Sequence, residues 1–269
     1  MGVGAGRRCA VLGSPIAHSL SPRLHRAAYA HLGLDWTYDA VDVDEQQLPG
    51  FVERLDSSWR GLSLTMPLKA AGAALATRRS ELVDRLGVAN TLVIDGDERV
   101  AANTDVPGMR ATLAEAGAPA VPHATVLGAG STAVAAVAAL STMADAVTVV
   151  ARSPSRAQRV LAVADAVGVP ANVVAWDDVR LALTAPVVLS TVPSGAADPL
   201  AAALPAAPGL LLDVVYDPWP TPLAAAWSRE GGEVCSGLDL LVWQAVEQVR
   251  LMTERSVPVQ VLRAAVARR

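Results

Sequence analysis

The sequence predicts an α/β protein in two domains, one of them built on a doubly wound parallel sheet. Three observations carry that prediction. Short β-branched runs alternate with alanine- and leucine-rich segments along the chain, the pattern of strands covered by helices. Runs such as ATVLG (124–128) and LLLDVV (210–215) are apolar on both faces, as a sheet covered on both sides requires. The length, 269 residues, suits one large or two modest domains.

Taken in order, RCAVLG, WTYDAVDV, GLSLTMP, NTLVIDG and RVAANTD read as the strands of the first part. ATVLGAG, AVTVVAR, ANVVAW, PVVLSTV, LLLDVVY and EVCSG read as those of the second. The intervening PRLHRAAYAHLG, STAVAAVAALSTM, RAQRVLAVADAVG and TPLAAAWSREG carry helical composition, and SLTMPLK (63–69) spans a strand-to-helix turn. AGAPAVPHA (116–124), rich in alanine and proline, is the strongest break in composition. The apolar segment from Leu238 is open between continuing the second part and returning to the first.

Composition narrows the partners. A formal net charge of -4 with 18% charged residues gives no reason to expect nucleic acid or an anionic membrane. Alanine-rich runs broken by polar residues predict no membrane span, and the opening MGVGAGRRCAVLG predicts neither a signal peptide nor a myristoylation site. Cys9 and Cys235, far apart in strand-like runs, are expected to be buried thiols in a reducing cytoplasm. His18, His25, His31 and His123 show no metal-binding spacing and are expected to be surface or packing residues.

The clearest motif is TVLGAGSTA, a strand, a glycine turn and a helix fitting G-x-G-x-x-A with Gly128, Gly130 and Ala133. Gly128 permits the tight turn, Gly130 lets backbone amides approach a pyrophosphate, and Ala133 lets the helix pack closely. The candidate dinucleotide loop is therefore Gly128, Ala129, Gly130, Ser131, Thr132 and Ala133, and the second part reads as Rossmann-type. The next strand ends in ARSPSRAQR, with Arg152, Ser153, Arg156 and Arg159 and no carboxylate for a ribose hydroxyl. Guanidiniums and a hydroxyl there suit a 2′-phosphate, so NADP is favoured over NAD. An ordinary solvated helix start is less attractive, because cations there oppose the helix dipole.

In the first part, polar residues gather at predicted strand ends, where an open sheet binds ligands. They are Ser19 and Ser21, Thr65 and Lys69, Asn90, and Asp105. The set suits a small polyhydroxylated acid. Hydroxyls at 19 and 21 suit a carboxylate, although Ser21 before Pro22 is also an ordinary helix-capping signal. Lys69 is the only lysine, against 21 arginines. Base composition alone can produce that imbalance. A lysine amine, however, can exchange a proton where a guanidinium cannot.

GSPIAHSLSP, TMPLK, ANTL, NTD, GAGSTA, DVVYDPWPTPL and GLDLLVWQA follow, in order over nearly the whole chain, the pattern of the shikimate dehydrogenases, which this sequence resembles. The resemblance implies NADPH-dependent reduction of 3-dehydroshikimate to shikimate, by two α/β domains flanking a cleft. It implies a substrate domain, 1–106, completed by C-terminal helices, 239–269, and an NADP domain, 107–238. By the same resemblance Lys69 and Asp105 are the catalytic pair. Ser19, Ser21 and Tyr216 hold the substrate carboxylate with Thr65 close by, Asn90 and Gln244 hold ring hydroxyls, and Gly237 joins the cofactor site. A lysine beside an aspartate can supply a proton to the alkoxide that hydride delivery creates.

Two positions depart from the family pattern. Ser63 stands where Asn is usual, a shorter donor toward a ring hydroxyl, and Asp239 stands where Gly is frequent, near the nicotinamide end. Substrate preference thus stays open toward a quinate or aminoshikimate dehydrogenase. A catalytically silent NADP-binding regulator is the alternative of a different class. A small-molecule substrate is the expected partner, with no nucleic acid or membrane, and a homodimer is possible.

Overall fold

The computed structural model describes residues 6–267, and it falls into two compact units. One comprises residues up to Thr104 together with those from Leu241 on; the other is Asp105–Leu240. The reading of MGVGAG as free of a targeting segment lies mostly outside the described residues.

The first unit runs β1 (Arg8–Gly13), α1 (Ser21–His31), β2 (Thr37–Asp42), α2 (Leu48–Glu53), β3 (Trp59–Leu64), α3 (Lys69–Leu75), β4 (Arg78–Arg79), α4 (Glu81–Leu86), β5 (Thr91–Asp95) and β6 (Glu98–Ala102). The strands form one sheet in the order β2-β1-β3-β5-β6-β4. Strand–helix alternation favours parallel strands, but this sheet is mixed. β2, β1 and β3 are parallel, whereas β5 is antiparallel to both β3 and β6. The cause is local. Asp95 and Glu98 pair across a two-residue turn with Gly96 at φ +59°, and so short a link joins only antiparallel strands. One face of the sheet buries Leu12, Leu62, Leu64 and Leu92; Cys9, Val11, Tyr29, Tyr38 and Met252 form a second cluster.

The second unit runs α5 (Asp105–Glu115), β7 (Ala124–Leu127), α6 (Ser131–Leu140), β8 (Val147–Ala151), α7 (Pro154–Ala166), β9 (Ala171–Ala175), β10 (Val187–Ser190), β11 (Leu210–Asp213), α8 (Pro222–Arg229) and β12 (Glu233–Ser236). All six strands are parallel, in the order β12-β11-β10-β7-β8-β9, so the chain winds outward in both directions from β7. Every residue of β7, β10 and β11 is buried, which is why those runs lack polar alternation. Helix α9 (Gly237–Thr253) contains the cut between units, and α10 (Val259–Val266) packs against α1. Among the described residues no helix is long and apolar enough to cross a membrane.

Candidate active site

In the first unit, β1, β3 and β6 end at the same edge of the sheet where antiparallel β5 begins. That arrangement gathers residues distant in sequence. Ser19 and Ser21 follow β1; Thr65 and Lys69 follow β3; Asn90 precedes β5; Thr104 follows β6. Backbone bonds lock the edge. Thr65 N donates to Leu12 O (3.0 Å), Leu64 N to Asn90 O (2.8 Å), Ala89 N to Lys69 O (2.9 Å) and Asn90 N to Ala102 O (3.2 Å). Lys69, half-buried, opens α3.

Ser21 does not cap its helix. The cap position is Leu20, no side chain caps α1, and Ser21 is the first helical residue, 4% exposed. Ser19 Oγ accepts from Ser21 N at 3.3 Å. Asn90 is almost wholly buried, and its Oδ1 accepts from Thr104 N (2.7 Å) and Thr91 Oγ1 (3.0 Å). Its Nδ2 reaches Thr104 Oγ1 (2.9 Å) and Gln244 Oε1 (3.3 Å), while Gln244 Nε2 donates to Leu241 O (3.0 Å). Thr65, Lys69, Asn90 and Gln244 thus rest on one hydrogen-bonded framework.

In the second unit, Asp105 is the buried first residue of α5. Gly128 follows β7 at φ +111°, and a Cβ there would lie 2.7 Å from Thr191 Oγ1 beyond β10, so glycine is required. β10 and β8 flank β7, placing the loop where the chain's winding reverses, the usual ligand position in an open sheet. Ala129, Ser131 and Thr132 are half-buried, Ala133 is fully buried, and no side chain caps α6 at Gly130. Arg152 and Arg156 are exposed about the start of α7, where Ser153 Oγ and Ser155 Oγ lie 2.8 Å apart. Tyr216 sits half-buried on the β11–α8 loop. Asp213 braces that loop, accepting from Val215 N (3.2 Å) and Thr221 Oγ1 (2.8 Å); burial raises its carboxyl pKa, against the lowering effect of those bonds. Gly237 is buried at the start of α9, where a Cβ would lie 2.0 Å from Val214 O, a steric reason for glycine independent of any cofactor.

The sequence matches two family profiles. Residues 11–92 match the shikimate dehydrogenase substrate binding domain, and residues 237–267 the shikimate 5'-dehydrogenase C-terminal domain. A shikimate dehydrogenase (NADP(+)) of Thermus thermophilus is 36% identical over 246 residues, covering 91% of this chain and 92% of that protein. The chain belongs to the shikimate dehydrogenase family. The Mycobacterium tuberculosis shikimate dehydrogenase crystal structure superposes with a TM-score of 0.88 at 42% identity, covering 96% of this chain and 98% of that one. A crystal structure of the Thermus thermophilus shikimate 5-dehydrogenase in complex with NADP(H) and shikimate gives 0.85 at 33% identity, covering 96% and 98%.

Both departures from the family pattern have structural occupations. Ser63 is 3% exposed, and its hydroxyl accepts from Tyr38 Oη (2.6 Å) and donates to Gln248 Oε1 (2.9 Å), so it is not a shortened arm toward a ligand. Asp239 Oδ2 accepts from Ser236 N (3.0 Å) and Oγ (2.8 Å), capping the start of α9. Among the thiols, Cys9 is buried and pushed up to about 11 by burial, whereas Cys235 is only partly buried. His25 is wholly buried and stacks on Tyr38, a packing residue; among the described residues no cluster of metal ligands occurs. Sequence reasoning missed Gln248, Thr91 and Thr104. Gln248 had one available signal: it lies four residues after Gln244, on the same face of a helix.

Proposed function

We propose that the chain interconverts 3-dehydroshikimate and shikimate with NADP(H), a step toward the aromatic amino acids. The observation that carries this reading is the sheet edge of the first unit. There the only lysine stands beside Asn90 through the Ala89–Lys69 backbone bond, on the framework that also holds Gln244 and Thr65. Lys69 would deliver the proton at the reacting oxygen, with Asp105 as the partner assigned by the NTD motif. Asn90, Gln244 and Thr65 would bind ring hydroxyls, and Ser19, Ser21 and Tyr216 the carboxylate.

NADPH, when bound, supplies the hydride. Its pyrophosphate fits Gly128–Ala133, where an uncapped helix start and a glycine-only backbone permit close approach. Arg152, Ser153 and Arg156 fit the 2′-phosphate, and the backbone at Gly237 is part of the same assignment. Two free thiols fit a cytoplasmic setting, and a homodimer belongs to the proposal as its assembly, checked by light scattering. The test is initial-rate oxidation of shikimate, followed by NADPH absorbance, with quinate in parallel. Turnover of shikimate supports the assignment. Preference for quinate moves it within the family, and no turnover of either favours a silent NADP-binding protein.

A further inference from the structure

Behind Asn90 and Gln244 lies a buried polar chain whose direction is set by one group that can only accept. Asn90 O receives Leu64 N at 2.8 Å and Gln248 Nε2 at 3.1 Å. A backbone carbonyl has no proton to give, so the nitrogen of the Gln248 amide must face it. The amide oxygen must then face Ser63 Oγ (2.9 Å) and His25 Nε2 (3.2 Å), and both must donate. Ser63 therefore accepts from Tyr38 (2.6 Å), and His25 carries its proton on Nε2, leaving Nδ1 to face Tyr29 Oη at 3.5 Å.

The same logic runs forward. The second N–H of Gln248 goes to Thr91 Oγ1 (3.0 Å), so the Thr91 proton points to Asn90 Oδ1 (3.0 Å). With Thr104 N also donating to that oxygen (2.7 Å), the Asn90 amide has one orientation, with its nitrogen toward Thr104 Oγ1 and Gln244 Oε1. Gln248 is 1% exposed and Ser63 3%, so reversing either means leaving a buried polar group unpaired.

We propose that Gln248, supported by Ser63, is a positioning residue: it orients the amide of Asn90 and, through it, that of Gln244 for the substrate's ring hydroxyls. This rests on the substrate roles proposed above for those two residues. Gln248→Met keeps the side-chain length and breaks the chain at its centre; Ser63→Ala removes one donor more gently and keeps the test open if the first variant does not fold. Each is compared with the parent, Asn90→Ala and Gln244→Ala, by measuring KM for shikimate, KM for NADP and kcat, with thermal melts.

Gln248→Met should raise KM for shikimate on the order of tenfold, the scale of one misdirected buried contact. Ser63→Ala should raise it by less, and KM for NADP should stay at the parent value in both. A purely structural role would lower the melting temperature and leave this split absent. A folded Gln248→Met or Ser63→Ala with parent KM for shikimate, while Asn90→Ala raises it, overturns the proposal; so does an equal rise for both substrates. If Asn90→Ala and Gln244→Ala themselves leave that KM unchanged, the site assignment is what has failed, and the positioning role goes with it.

Discussion

His25 should make this protein sensitive to mild acid. Its ring is wholly buried between Tyr38, stacked at a centroid distance of 3.9 Å, and Tyr29, edge-on at 5.9 Å. Burial lowers its pKa from 6.5 to about 3, with the Gln248 bond acting weakly in the opposite sense. The folded state therefore excludes a proton that the unfolded chain binds. Between those two values the unfolded state carries more protons, so stability falls as pH falls from 6.5 toward 3. From pH 7 to pH 5 the loss from this residue alone comes to about 2 kcal/mol. For a chain of this size that corresponds to a melting temperature lower by roughly 4–8 °C. The neighbouring Tyr29, Tyr38 and Cys9 are all pushed up by burial and stay neutral over the window. His25→Phe keeps the stacking ring and cannot titrate. Urea melts of both proteins at steps from pH 7 to pH 5 should show their stability difference shifting by about 2 kcal/mol in favour of the variant. Parallel profiles would refute the reasoning.

Three further outcomes concern the site. Lys69→Ala should lower kcat by roughly 10²–10⁴ with little change in KM for shikimate; if proton transfer matters, Lys69→Arg should be nearly as impaired, and a folded arginine variant at parental rate would make the lone lysine an accident of composition. Arg152→Asp should weaken NADP binding by about 1.5–3 kcal/mol by titration, and NAD binding as tightly as NADP to the parent would remove the 2′-phosphate assignment. Ser19→Ala with Ser21→Ala should raise KM for shikimate well beyond that for NADP. Because Ser21 caps nothing, melting should change little, and a large loss of stability with equal KM effects would point to a structural role instead.

Some of this protein was legible from sequence because the responsible forces are local. Eleven expected strands coincide with observed ones since β-branched runs and turn residues act over a few residues; the two-residue β4 carries too little chain to signal itself. The glycine loop was legible for the same reason: strand, turn and helix are consecutive, and Gly128 needs its conformation wherever the domain lies. The family motifs named Lys69, Asn90 and Gln244, but not what holds them. Tertiary structure alone decided that β5 turns back beside β3, bringing Asn90 to the edge where Thr65 and Lys69 emerge. It also decided that Ser63 faces Tyr38 and Gln248 rather than a ligand. Gln248 meets Asn90 from 158 positions away, Ser63 from 185 and His25 from 223. A glutamine or serine offers the same donors and acceptors in every sequence. Which partner it meets, and hence which way its amide must point, is settled only when distant elements exclude water around it.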